Sequence, residues 1–191
     1  MTTLRKISLT VLIAGLVAGV AAFGAFSAFS ATTSNTGNSF ASGTVAIGDN
    51  DGGSTALYTS ANNKPGVPVV SCIKVTYTGS LASEVKLYAS AGITGGAAFN
   101  LKVERGTQSA GSFPACGDFV ATLTAYDGVL GAFPTTYGAG VDGKDAAAAW
   151  GTNDSIAYRF TVTAVDNTTP GARTAVISSG SHDFTWEARN T

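Results

Sequence analysis

The strongest constraint on this chain is a period of two. In SIAYRFTVTAV (residues 155–165), Ile156, Tyr158, Phe160 and Val162 share one parity, while Ala157, Arg159, Thr161 and Thr163 take the other. That is the pattern of a strand with one face in a core and one in water. It recurs in VVSCIKVTYT (69–78), where Val69, Ser71, Ile73, Val75 and Tyr77 form the core side, and in LASEVKLYAS (81–90), with Leu81, Ser83, Val85 and Leu87. FNLKVERG (99–106) places Phe99, Leu101 and Val103 inward, FVATLTAY (119–126) has strand character, and HDFTWEAR (182–189) sets Phe184 and Trp186 together. FASGTVAI (40–47), ALYTS (56–60) and RTAVISS (173–179) are shorter strand candidates. The two-residue link Gly79-Ser80 predicts a hairpin between segments 69–78 and 81–90. Only DGKDAAAAW (142–150) suggests a helix, on alanine propensity. About seven to nine strands broken by Gly- and Pro-rich turns predict an all-β protein, an antiparallel β-sandwich of jelly-roll type with at most one or two short helices in loops.

The first 40 residues follow another logic. Arg5 and Lys6 precede residues 7–29, which are exclusively apolar, Gly, Ser or Thr, and no charge follows until Asp49. A basic start, an apolar run and small residues at Ala28 and Ser30 describe an export signal over residues 1–28, cut between Ala28 and Phe29. An uncleaved anchor is the alternative, since the uncharged run is long enough to span a bilayer. Its dilution by Gly15, Gly19 and Gly24, and the absence of a basic stop-transfer cluster after it, favour cleavage. Residues 29–39 then form a flexible polar segment, and residues 40–191 a single sandwich domain.

Without Arg5 and Lys6, eleven Lys and Arg fall to nine against twelve Asp and Glu, a net charge of −3 that argues against nucleic acid. Charged residues make up only 12 %, whereas Gly alone contributes 24 residues, so hydroxyls and amides solvate the surface. The two cysteines, Cys72 and Cys116, are expected to pair in an oxidising compartment, the alternative being two buried thiols.

Chemistry-bearing constellations are scarce. There is one histidine, His182, and no HExxH, which excludes a zinc peptidase built on two helical histidines. Asp183 adjoins His182 in sequence and so falls on the opposite strand face, not behind the imidazole where a serine triad needs it. His182 is expected to be an ordinary surface or edge residue. Asp49, Asn50 and Asp51 before Gly52 resemble the start of a calcium loop, but its closing position is Ser60 instead of Glu, which favours a plain turn. Tyr77, Tyr88, Tyr126, Tyr158, Phe160 and Trp186 recur at strand spacing as core residues, carbohydrate stacking being the functional alternative. No catalytic, cofactor-binding or metal-binding residue is assigned.

The hydrophobic signal followed by SFASGTVAI, the NNKPG loop leading into a strand, the segment GSLASEVKLYA and the terminal FTWEA together resemble the TasA/camelysin proteins. These are secreted β-sandwich proteins of the bacterial cell surface and biofilm matrix, exported with a dedicated W-type signal peptidase. The resemblance implies a jelly-roll subunit of extracellular fibres in which the N-terminal segment of one copy, here Phe29, Ser30, Ala31, Thr32, Thr33 and Ser34, completes the sheet of the next. It implies as partners further copies of the chain, with other matrix proteins or cell-surface polysaccharide beside them, and contact with a membrane only through the signal. The metalloprotease activity described for camelysin is not carried over, because this chain has no plausible ligand set. A monomeric adhesin or carbohydrate-binding module is the alternative, and a secreted hydrolase a remote one.

Overall fold

The computed structural model describes residues 12–13, 41–53, 55–59, 64–89, 92–145, 148–165 and 178–191. The chain divides into two compact units, residues 1–41 and 42–191. In the first, Leu12 and Ile13 are helical. The cleavage site at Ala28 and Phe29, the donor segment through Ser34 and most of RTAVISS lie outside the described residues.

In the second unit the alternating segments become strands. They are β1 (Ile47–Asp49), β2 (Pro68–Tyr77), β3 (Ser83–Ala89), β4 (Phe99–Thr107), β5 (Val120–Val129), β6 (Val141–Asp142), β7 (Ser155–Ala164) and β8 (Phe184–Asn190). A five-stranded sheet runs β1-β2-β7-β4-β5 and a three-stranded sheet runs β6-β3-β8. Every pairing is antiparallel, so the described residues form an all-β, sandwich-like fold.

The parity of the sequence becomes the two faces of the larger sheet. One row across it runs Ile73, Tyr158, Arg105, Leu123, and it belongs to the inner face; the next runs Cys72, Arg159, Glu104, Thr124 on the outside. Tyr77, Leu101, Val103, Tyr158 and Phe160 are fully buried from this sheet, and Leu87 and Val85 face them from β3. Phe184 and Trp186 of β8 close the core: Phe160 lies 4.8 Å from Phe184 and Tyr158 lies 5.3 Å from Trp186, centroid to centroid. Burying each such ring stabilises by roughly 2 to 3 kcal/mol, before the entropy of ordering it is subtracted.

Four expectations are corrected. The segments around Gly79-Ser80 are not a hairpin, because β2 and β3 lie in different sheets. Both strands carry their apolar parity on odd residues, and an arch between sheets lets Tyr77 and Ser83 meet inside. The Tyr77 hydroxyl donates to the Leu81 carbonyl and sits 2.7 Å from Ser83 Oγ, while Thr44 and Ala46 carbonyls accept the arch N–H groups of residues 78–81. The first strand starts only at Ile47, since the Thr44 and Ala46 carbonyls are spent on this arch. ALYTS is not a strand: its described residues are bends and coil, held by Leu57 and Tyr58 against the core. The alanine-rich stretch is not helical where described. Val141 and Asp142 pair with β3, and Trp150, fully buried, bridges Ser83 in both directions at 3.1 and 2.7 Å. Burial of one indole outweighs the few tenths of a kcal/mol per residue that alanine propensity offers. The short helical turns fall elsewhere, as 3-10 segments at Gly96–Ala98, Leu130–Ala132 and Tyr137–Ala139.

Candidate functional site

A sandwich offers function at three kinds of place: loops, outer faces and edges. In the loops, Asp49 Oδ1 accepts the N–H groups of Asp51, Gly52 and Gly53 at 3.1, 2.8 and 3.3 Å, and Asp51 Oδ1 accepts from Gly53 at 2.6 Å. Gly52 and Gly53 both have φ of 68°, which glycine alone adopts without strain. The carboxylates thus cap their own turn. Among the described residues no three His, Cys, Asp or Glu side chains converge on a metal-sized group. His182 lies ahead of β8, with Nε2 2.5 Å from the Tyr58 hydroxyl and Nδ1 3.2 Å from the Gly180 carbonyl; its ring also meets Phe184 edge-on. It is half-buried, tying residues 55–59 to the aromatic end of the core. Burial pushes the Tyr58 phenol well above its ordinary range.

The outer face of the five-stranded sheet carries a strap. Cys72 and Cys116 are disulfide-bonded with Cα atoms 5.2 Å apart, so the segment carrying Cys116 and Phe119 lies over the outward side of β2 and β7. Cys72, Ala157 and Phe119 form a small second core there, and the Arg159 guanidinium stands 4.8 Å over the Phe119 ring. Sequence parity had put Cys72 and Ala157 on the solvent side; only the bridge at 116 hinted that something covers them. Beside this core Glu104 accepts from Arg159 at 2.7 Å and pairs with Lys102 at 3.0 Å. Burial works against ionising Glu104, but the hydrogen bonds from Lys102 and Arg159 outweigh it and hold the carboxyl below its ordinary value. The strap is also folded on Asp118, whose Oδ2 accepts the Ala110 N–H at 2.5 Å and the Ser109 hydroxyl at 3.1 Å. Donation from Ala110 foremost holds this carboxyl down at about 2.

The outer face of the three-stranded sheet is polar and aromatic. Tyr88, read as core from its spacing, stands here instead, donating to Glu187 at 2.6 Å. Arg189 bonds Glu187 at 2.7 Å and lies 3.9 Å over the Tyr137 ring, and Tyr137 donates to the Glu84 carbonyl at 3.1 Å. Lys86 joins Glu84 to Asp142. These groups pair with one another across β3, β6 and β8.

The sheet edges differ in length and character. β1 and β6 have three and two residues. β8 has seven and ends in the Glu187–Arg189 pair. β5 has ten residues, VATLTAYDGV, and among the described residues pairs only with β4. No helix among the described residues is long and apolar enough to cross a membrane.

The class this architecture defines is the disulfide-strapped antiparallel β-sandwich, without a metal-binding group among the described residues. No protein-family model matches the chain, and no curated protein matches it.

Proposed function

We propose that this chain is an exported structural protein that assembles head-to-tail into extracellular fibres of a cell surface or biofilm matrix. The observation that carries the proposal is the open sandwich: among the described residues, two antiparallel sheets of five and three strands end in edges instead of closing into a barrel. An unpaired edge is a template for another chain's backbone. The bonded Cys72–Cys116 pair suits an oxidising location outside the cytoplasm. The uncharged segment from Phe29 to Ser39 follows the export signal and supplies the strand, and a contact between unlike surfaces propagates where a symmetric one would close. The resemblance to the TasA/camelysin proteins points the same way.

The experiment is direct. Protein recovered from the medium has an intact mass beginning at Phe29, sediments as a heterogeneous polymer and shows filaments by negative stain. A mass retaining Arg5 would reverse the export reading, and a secreted chain that stays monomeric at high concentration would reverse the fibre reading.

A second reading is favoured by the Tyr88, Tyr137 and Arg189 face, whose half-buried rings and planar charged groups are of the kind that stack on sugars. In that reading the chain is a surface adhesin, and a glycan array with Tyr137→Ala as control tests it.

A further inference from the structure

We propose that Cys116 is the sulfur through which this chain exchanges with thiols and disulfides in solution, and that Cys72 is the resolving sulfur behind it. The partner is a disulfide-bearing oxidant, small or protein-borne, which forms a mixed disulfide with Cys116 before the Cys72–Cys116 bond closes. The inference rests on that bond and its surroundings and stands apart from the fibre reading.

The first support is an asymmetry of access. Cys72 is 0 % exposed, in the middle of β2 and packed with Phe119 and Ala157, which are themselves 9 % and 1 % exposed. Cys116 is half-buried, and both of its chain neighbours, Ala115 and Gly117, are exposed. Their side chains are only a methyl and a hydrogen. A Cβ built on Gly117 meets no atom within 4 Å, so the strap is open beside Cys116. Thiol–disulfide exchange depends on which sulfur an attacker can reach, and of these two only Cys116 is within reach.

The second support is that the strap has anchors besides the bond. The Pro114 carbonyl accepts the Cys72 N–H at 2.9 Å, and Phe119 packs with Ala157 while the Arg159 guanidinium stands 4.8 Å from its centroid. Within the strap Gln108, 7 % exposed, donates from Nε2 to the Ala115 carbonyl at 2.7 Å, and the Cys116 carbonyl accepts the Phe119 N–H at 3.1 Å. None of these contacts needs the S–S bond. They bring the two cysteines to a Cα separation of 5.2 Å, inside the ordinary range for a bridge. The strap therefore lies down first and the bond closes second, when Cys72 is already sealed.

The order of steps follows from that placement. The Cys116 thiolate attacks one sulfur of the oxidant's disulfide, an S–S bond forms to Cys116, and half of the oxidant leaves as a thiolate. The Cys72 thiolate then attacks Cys116 Sγ from beneath. The second half of the oxidant leaves and takes up the proton that Cys72 gave away. In sum two cysteines are oxidised to the bridge and one outside disulfide is reduced to two thiols. Reduction runs the same route backwards, with the incoming thiolate attacking Cys116 and Cys72 leaving.

The test uses the whole chain. Reduced, freed of reductant and mixed with oxidised glutathione, it is quenched in acid at short times and mapped by peptide mass. Expected is a glutathione adduct on Cys116 that gives way to the Cys72–Cys116 bond. Cys72→Ser holds the adduct at Cys116, whereas Cys116→Ser acquires one at Cys72 about tenfold or more slowly, a difference that disappears in urea. A protein oxidant carrying a CxxC disulfide, tried beside oxidised glutathione, shows which source reacts faster, and capture of either at Cys116 supports the proposal. Adducts that appear first or equally on Cys72 in the reduced parent would overturn it, as would a Cys72→Ser chain that captures neither oxidant. Equal rates for the two variants, with circular dichroism matching the parent's, would overturn it too. Where a serine variant does not fold, the adduct on the parent decides.

Discussion

Asp118 shows how one carboxylate shapes a whole loop. It gathers the Ala110 N–H and the Ser109 hydroxyl, and through them the strap bends back before Cys116 and Phe119 reach the sheet. Its carboxyl is held at about 2, below the ordinary 3.8, so the folded state favours the ionised form. The stabilising contribution is therefore complete above pH 3.8 and fades as the pH falls toward 2. Asp118→Asn is expected to lower the urea midpoint at pH 6 but to differ little from the parent at pH 2. Equal differences at both pH values would mean that the amide, not the lost charge, is responsible. Nothing in the spacing of SAGSFPACGDF announces this role, since the bonds run to a backbone N–H and a hydroxyl eight and nine residues away. Tyr77 is a related case: its parity marked it as core, but its hydroxyl bonds to Leu81 and Ser83 became visible only once the arch existed.

At the scale of elements, β4 and β5 are joined through Gly106, where the register shifts. A Cβ built there would stand 2.0 Å from the Val120 carbonyl oxygen, a backbone atom that cannot swing aside. Gly106→Ala is expected to cost about 1 to 3 kcal/mol, as overpacking against fixed neighbours does. Urea unfolding followed by circular dichroism measures it, and a loss under half a kcal/mol would show that β5 shifts freely on β4. The strand periodicity located β2, β3, β4, β7 and β8 and their buried faces, because one parity in each must leave water. It could not say which sheet each strand joins, since the inner face of either sheet asks for the same alternation. Hence a short link suits a hairpin as well as it suits the crossing between sheets that occurs, and a run of alanines suits a helix although Trp150 draws the chain into a bridge.

For the whole molecule the disulfide is the largest single constraint, closing residues 44 apart in sequence. Replacing both Cys72 and Cys116 by Ala is expected to remove about 4 kcal/mol on chain-entropy grounds. It should also loosen Phe119 from Ala157, which faster hydrogen exchange in residues 108–119 would reveal. A melting temperature within two or three degrees of the parent would mean that the second core holds the strap unaided. Strap, sandwich and edge divide the molecule's surfaces: one outer face covered by its own chain, one knit into charge pairs, and β5 left exposed.

The sequence by itself determined the local half of this protein: that it is all-β, and which parity of most strands enters the core. Those properties follow from side-chain period and residue chemistry, which act over a few neighbouring positions. The tertiary structure alone decided the distribution of strands between sheets, the placement of Tyr88 on an outer face, the covering of Cys72 and Ala157 by the strap, and the exposure of Leu123. Each of these depends on what lies across a sheet or over it, and contacts between residues tens of positions apart leave no period in the chain.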